Sequence, residues 1–116
     1  MDRPCVLVVD DDPAVSAYVA AILERAGYEV HAAPDLVGAR HVALSRPVDV
    51  LLSDVVLGSV DGLDVEEAVR VLQPQVRTLF MSGYARPRYR TGAEDPVLVK
   101  PFAAGELLER VHALVA

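Results

Sequence analysis

Short runs of β-branched and other aliphatic residues alternate with amphipathic segments along the whole chain. This alternation constrains the fold more than any other feature. Candidate strands are Cys5–Val9, Tyr28–Ala32, Val48–Leu52, Val76–Met81 and Val97–Val99. The first, third and fourth are nearly continuous apolar runs, as expected of parallel strands covered on both faces. The first helix opens with Asp12 as N-cap and Pro13 at the first helical position, and Gly27 stops it. Its inward stripe is Val15, Val19, Ile22, Leu23 and Ala26. The second starts behind Asp35 and finishes before Pro47, turning Leu36, Ala39, Ala43 and Leu44 inward. The third runs from near Asp64 to before Pro74, with Val65, Ala68, Val69 and Leu72 as its apolar side. The last spans Ala104 to Val115 and buries Leu107, Leu108, Val111 and Leu114. Between Ser82 and Val97, residues Pro87, Gly92 and Pro96 leave room for a turn or two of helix. The sum is one α/β domain over residues 1–116, a doubly wound five-stranded parallel sheet of order 2-1-3-4-5 with a shortened fourth helix.

Composition narrows the class. With 53% hydrophobic residues in 116, a sizeable core is affordable and disorder is excluded as the default. The single cysteine, Cys5, permits no disulfide within the chain and reads as a small buried residue. A net charge of −6 argues against direct nucleic-acid binding. The apolar run after Arg3 is too short for a secretory signal, and no window of about 18 apolar residues could span a membrane. The expectation is a cytoplasmic protein without direct membrane contact.

In doubly wound sheets, ligands bind beyond the carboxyl ends of the strands, where the strand order reverses. The predicted first strand ends in Asp10, Asp11 and Asp12, the third in Asp54, the fourth in Ser82 and the fifth in Lys100. The first and third strands are neighbours, so their carboxylates converge. Crowded carboxylates repel one another and call for a cation, and oxygen ligands favour a hard ion such as Mg²⁺. Lys100 adds a fixed positive charge and Ser82 a hydroxyl. A carboxylate nucleophile, a divalent ion, an ammonium and a hydroxyl are the equipment of phosphoryl transfer. Asp12 alone reads better as a helix cap than as a metal ligand.

The motifs Val6-Leu7-Val8-Val9-Asp10-Asp11-Asp12-Pro13, Leu51-Leu52-Ser53-Asp54, Asp61-Gly62-Leu63, Leu79-Phe80-Met81-Ser82-Gly83-Tyr84 and Val97-Leu98-Val99-Lys100-Pro101-Phe102 together resemble a two-component response-regulator receiver domain over essentially the whole chain. The Phe80-to-Tyr84 form resembles receivers at the C-terminus of hybrid histidine kinases. The resemblance implies a flavodoxin-like (βα)5 fold. It implies phosphorelay signalling, in which Asp54 accepts a phosphoryl group from a phosphohistidine with Mg²⁺ and partner interactions then switch. It makes Asp10, Asp11, Asp54 and the backbone carbonyl of Val56 the metal ligands, and Ser82 and Lys100 the contacts to phosphoryl oxygens. It implies a cis Lys100–Pro101 bond, and no separate substrate turnover. A histidine kinase or phosphotransfer protein would dock on the first helix through Ala14, Ala17, Tyr18 and Ala21, a helix without charge from Pro13 to Leu23. Tyr84, Arg86, Arg88, Tyr89 and Arg90 form the candidate output surface.

Several positions depart from the family pattern. Val97 stands where an aromatic residue is common, Gly58 replaces a frequent proline, and Ala103 lacks the hydroxyl that usually caps the last helix. Two rival functions share parts of the pattern. An aspartate-based phosphatase of the haloacid-dehalogenase type would use Asp10, Asp12, Ser82 and Lys100, but no acidic pair follows Lys100 and Asp54 would be idle. A receiver-like interaction module that is never phosphorylated usually lacks one acid or the lysine, and here all are present. His31, His41 and His112 show neither metal-site spacing nor an evident carboxylate partner and read as scaffold. The sequence stops just after the last predicted helix, which suggests a free-standing receiver or one excised from a larger protein.

Overall fold

The computed structural model describes residues 3–83 and 97–115. Five parallel strands form the central sheet: β1 (Cys5–Val9), β2 (Glu29–Ala33), β3 (Val50–Asp54), β6 (Arg77–Ser82) and β7 (Val97–Val99). Their order is β2-β1-β3-β6-β7, which is the expected 2-1-3-4-5 arrangement of a flavodoxin-like fold. A two-stranded antiparallel hairpin, β4 (Val56–Leu57) and β5 (Val60–Asp61), lies between β3 and the third helix. No run of alternating residues in the sequence marks it. Gly58 makes its tight turn with a φ of 65°, a conformation that costs a residue with a Cβ more than glycine.

Alternation along β1 explains why the run is apolar throughout. Cys5, Leu7 and Val9 face one side, packing with Ala39 and Ala43 of α2 (Leu36–Ser45) and Val65 and Val69 of α3 (Gly62–Leu72). Val6 and Val8 face the other, packing with Val19 and Leu23 of α1 (Pro13–Arg25) and Leu107 and Val111 of α4 (Ala104–Val115). Val6, Leu7, Val8 and Val9 are all 0% exposed, because helices cover both faces. A third, smaller cluster joins Val55, Phe80 and Val97, with Leu63 against it.

The caps follow local chemistry. Asp12 accepts from the Ala14 amide at 2.9 Å and Pro13 opens α1, so Asp12 serves as the cap it was expected to be. Asp35 caps α2 through the Gly38 amide. At α3 the cap is Asp61, so the helix begins at Gly62, two residues ahead of the expected start near Asp64. Asp61 and Asp64 form a reciprocal capping box, so Asp64 is the third helical residue. Two stripe assignments also change: Leu44 is 67% exposed and Ala26 is exposed as the C-cap of α1. The packed residue on that side of α2 is Val42. The expected short helix between Ser82 and Val97 falls outside the described residues. Among the described residues, no helix is long and apolar enough to cross a membrane.

Candidate functional site

The carboxyl ends of β1, β3, β6 and β7 come together where β1 separates β2 from β3, the point at which strand order reverses. Asp10 follows β1 directly and is 2% exposed. Its amide donates to the Ala33 carbonyl at 3.2 Å, and its Oδ1 accepts from the Asp12 amide at 2.8 Å. Thus one carboxylate oxygen is tied down by backbone and the other is left for the pocket. That second oxygen, Oδ2, lies 3.0 Å from Lys100 Nζ. The same ammonium reaches Asp54 Oδ2 at 3.3 Å. Carboxylate oxygens of Asp10, Asp11 and Asp54 lie within 4.8 Å of one another.

Asp54 ends β3, two residues past the expected strand boundary, and pairs with Met81 of β6. Burial, the largest influence, raises its carboxyl above the usual range, and the charge of Asp10 adds to this. Lys100 and the Val56 amide, 3.4 Å from Oδ1, pull the other way without cancelling it. At Lys100 burial opposes the charge, but the hydrogen bond to Asp10 and the charges of Asp54 and Asp10 outweigh it and raise the ammonium's pKa. The pairing is unequal: the lysine faces two carboxylates, whereas Asp54 has one cation and an acidic neighbour.

Ser82 is buried at the end of β6, and its carbonyl accepts from the Lys100 amide at 2.7 Å. The Lys100–Pro101 bond is cis, as expected. Val56 is half exposed at the start of the hairpin, next to the pocket in sequence. Ala14, Ala17, Tyr18 and Ala21 are exposed on α1, and Pro13, Ala17 and Ala20 border a cavity of about 530 Å³ beside Asp10 and Asp11. Tyr84, Arg86, Arg88, Tyr89 and Arg90 lie outside the described residues.

Gly62, part of the Asp61-Gly62-Leu63 motif, shapes the site. A Cβ there would sit 2.5 Å from the Asp54 carbonyl oxygen and 3.2 Å from the Val55 Cα. Gly62 also donates its amide to the Val55 carbonyl at 2.8 Å. Only glycine lets the start of α3 approach the backbone of Asp54 this closely.

The response regulator receiver domain model matches residues 6–112. The chain belongs to that family. This receiver is 35% identical to the DNA-binding dual master transcriptional regulator RpaA of Synechocystis sp., over 97% of the chain and 49% of that protein. The chain spans about half the length of the curated relatives it matches. Among solved structures it is similar to the receiver domain of the hybrid histidine kinase CckA, with a TM-score of 0.82 and 31% identity over 97% of this chain and 99% of that one. It is also similar to a response regulator of Burkholderia pseudomallei that carries a phosphorylated aspartic acid and a calcium ion. There the TM-score is 0.77 and the identity 28%, covering 97% of this receiver and 73% of that chain.

Proposed function

We propose that this receiver accepts a phosphoryl group on Asp54 from a phosphohistidine and thereby switches its affinity for partners. The observation that carries this reading is the position of the Asp54 carboxylate, between the Lys100 ammonium at 3.3 Å and the acidic pair Asp10 and Asp11. In the transfer, a carboxylate oxygen of Asp54 forms a bond to phosphorus as the bond from phosphorus to the donor imidazole nitrogen breaks. Lys100 stabilises negative charge on the phosphoryl oxygens, and the Ser82 hydroxyl donates to another of them.

The donor set fits a hard divalent ion. Asp10, Asp11 and Asp54 offer only oxygen, their atoms are close enough to share one cation, and their mutual repulsion has a single ammonium to offset it among the described residues. The ligands would be Asp10, Asp11, Asp54 and the Val56 carbonyl, and Mg²⁺ bound there would neutralise the crowded carboxylates and the incoming phosphoryl group. The uncharged strip of Ala14, Ala17, Tyr18 and Ala21 borders the pocket and suits the helical surface of a histidine kinase or phosphotransfer protein.

Intact-mass measurement after treatment with acetyl phosphate and Mg²⁺ tests the assignment. One phosphoryl group should add to the wild-type chain and none to Asp54→Asn. Equal labelling of the variant would overturn it, and turnover of the donor without a stable adduct would favour a phosphatase instead.

A further inference from the structure

The end of β1 opposite the acidic pocket gathers a second set of metal-ligating side chains. Cys5 opens β1, and the parallel register sets it beside Glu29 of β2, with Leu7 beside His31. Residues two apart on a strand share a face, so Glu29 and His31 project on the same side of the sheet as Cys5. The Cys5 sulfur, a ring nitrogen of His31 and a carboxylate oxygen of Glu29 lie within 4.8 Å of one another. His31 Nε2 is 2.7 Å from Glu29 Oε2. Arg46 Nη1 touches both, at 3.2 Å from the oxygen and 3.0 Å from the nitrogen. Cys5 is buried, while Glu29 and His31 are half-buried on the edge strand, so an ion arriving from solvent meets them first.

We propose that Cys5, Glu29 and His31 form a site for a borderline transition-metal ion of the Zn²⁺ class, separate from the oxygen-only pocket. Thiolate, imidazole and carboxylate together suit Zn²⁺ and do not suit Mg²⁺. Metal–ligand bonds of about 2.0–2.3 Å in a tetrahedron put donor atoms about 3.3–3.6 Å apart. The donors lie within 4.8 Å of one another, and side-chain rotation would bring them to that spacing. Three protein donors leave the fourth position open to solvent or an exogenous ligand.

The electrostatics of the corner favour a cation. The Cys5 thiol is pushed up to about 11, by burial first and then by Glu29 and Asp49. Burial is the main cause and Arg46 opposes it, while the two carboxylates that add to the shift are groups that would attract a metal ion. Glu29 itself is held below the usual carboxylate range by its hydrogen bonds to His31 and Arg46. Arg46 is the C-cap of α2, so the negative end of that helix's dipole lies at this corner. On binding, the Cys5 S–H bond breaks, the proton passes to solvent, and the sulfur electron pair bonds the metal. No electron is transferred. Arg46, whose side chain is 42% exposed, releases its two partners and turns toward water.

Co²⁺ titrated into the reduced chain, with Mg²⁺ in excess to fill the acidic pocket, provides the test. A saturable thiolate-to-cobalt charge-transfer band in the near ultraviolet is expected, bleached by added Zn²⁺. Cys5→Ser should abolish the band. His31→Ala and Glu29→Ala should each weaken binding by more than the ~10–100-fold that loss of a supporting group costs. Arg46→Ala should tighten it by removing a competing cation. His31 sits on the half-buried edge strand, so His31→Ala keeps the test readable if Cys5→Ser fails to fold, with circular dichroism as the check. A titration without the band, or a band unchanged in both His31→Ala and Glu29→Ala, overturns the proposal.

Discussion

Each end of β1 carries charged groups at hydrogen-bond distance, yet the two ends differ in what surrounds the charges. At the carboxyl end, Lys100 lies 3.0 Å from Asp10, a side chain only 1% exposed. At the amino end, Arg46 lies 3.2 Å from Glu29, and these side chains are 42% and 36% exposed. The contact distances are nearly the same. Water screens the second pair and can replace either partner, whereas Asp10 has been removed from water and depends on its partners. Charge is also balanced differently. Glu29 is shared by a histidine and an arginine, while at the other end, among the described residues, one ammonium pairs with two of three clustered carboxylates. The acidic end carries more negative than positive charge among the described residues, which suits a divalent cation.

The strongest way to break this contrast is Lys100→Met. It leaves Asp10 buried without its cation and should destabilise the fold by about 3 kcal/mol in urea melts, with Mg²⁺ restoring part of the loss. A change below about 0.5 kcal/mol would mean that Asp10 is not held by the lysine.

Gly62→Ala should come next, at about 2 kcal/mol, since the new methyl group meets backbone rather than a yielding side chain. Its effect should be selective, slowing acetyl-phosphate labelling of Asp54 more than loss of folded protein accounts for. A destabilised variant with unimpaired labelling of its folded fraction would show that the close approach serves packing alone.

A smaller contrast lies in the pH dependence. Burial, helped by Asp10, holds the Asp54 carboxyl above its usual range. The folded state therefore binds more protons than the unfolded one as pH rises from the ordinary carboxylate value to the raised one, and stability falls across that interval. Asp54→Asn removes this contribution. In metal-free buffer the variant should gain on wild type from about pH 4 upward, and the gain should level off once both carboxyl forms are ionised. Thermal melts of both proteins across that range decide it, and parallel curves would show that Asp54 carries no such strain.

Arg46→Ala should have the least effect, under about 1 kcal/mol, because the lost pair is exposed. Labelling of Asp54 should not change. A larger loss in melts would mean that the amino end is as dependent on its charges as the carboxyl end.

The sheet order and the acidic pocket were legible because both depend on strand ends, and β-branched runs mark those ends well. Asp10, Asp54, Ser82 and Lys100 could be placed without contacts, once the runs before them were read as strands. Boundaries shifted where backbone pairing continues past the apolar run. β3 extends through Ser53 and Asp54 because β6 still pairs with them. The start of α3 was misread because an Asp61–Asp64 capping box lacks the hydroxyl and longer acid that make such boxes conspicuous. His31 was read as lacking a carboxylate partner, whereas Glu29 lies 2.7 Å away. The i, i+2 spacing was visible, but the register that adds Cys5 depends on how β1 slides against β2, which no local pattern encodes. The hairpin at 56–61 is too short to give a periodic signal.

The 2.7 Å hydrogen bond from the Lys100 amide to the Ser82 carbonyl joins β7 to the end of β6. The hydroxyl and the ammonium proposed to grip the phosphoryl oxygens are therefore mounted on one backbone crossbar. A shift of either backbone segment must carry that bond along or break it, so the two contacts are expected to be coupled.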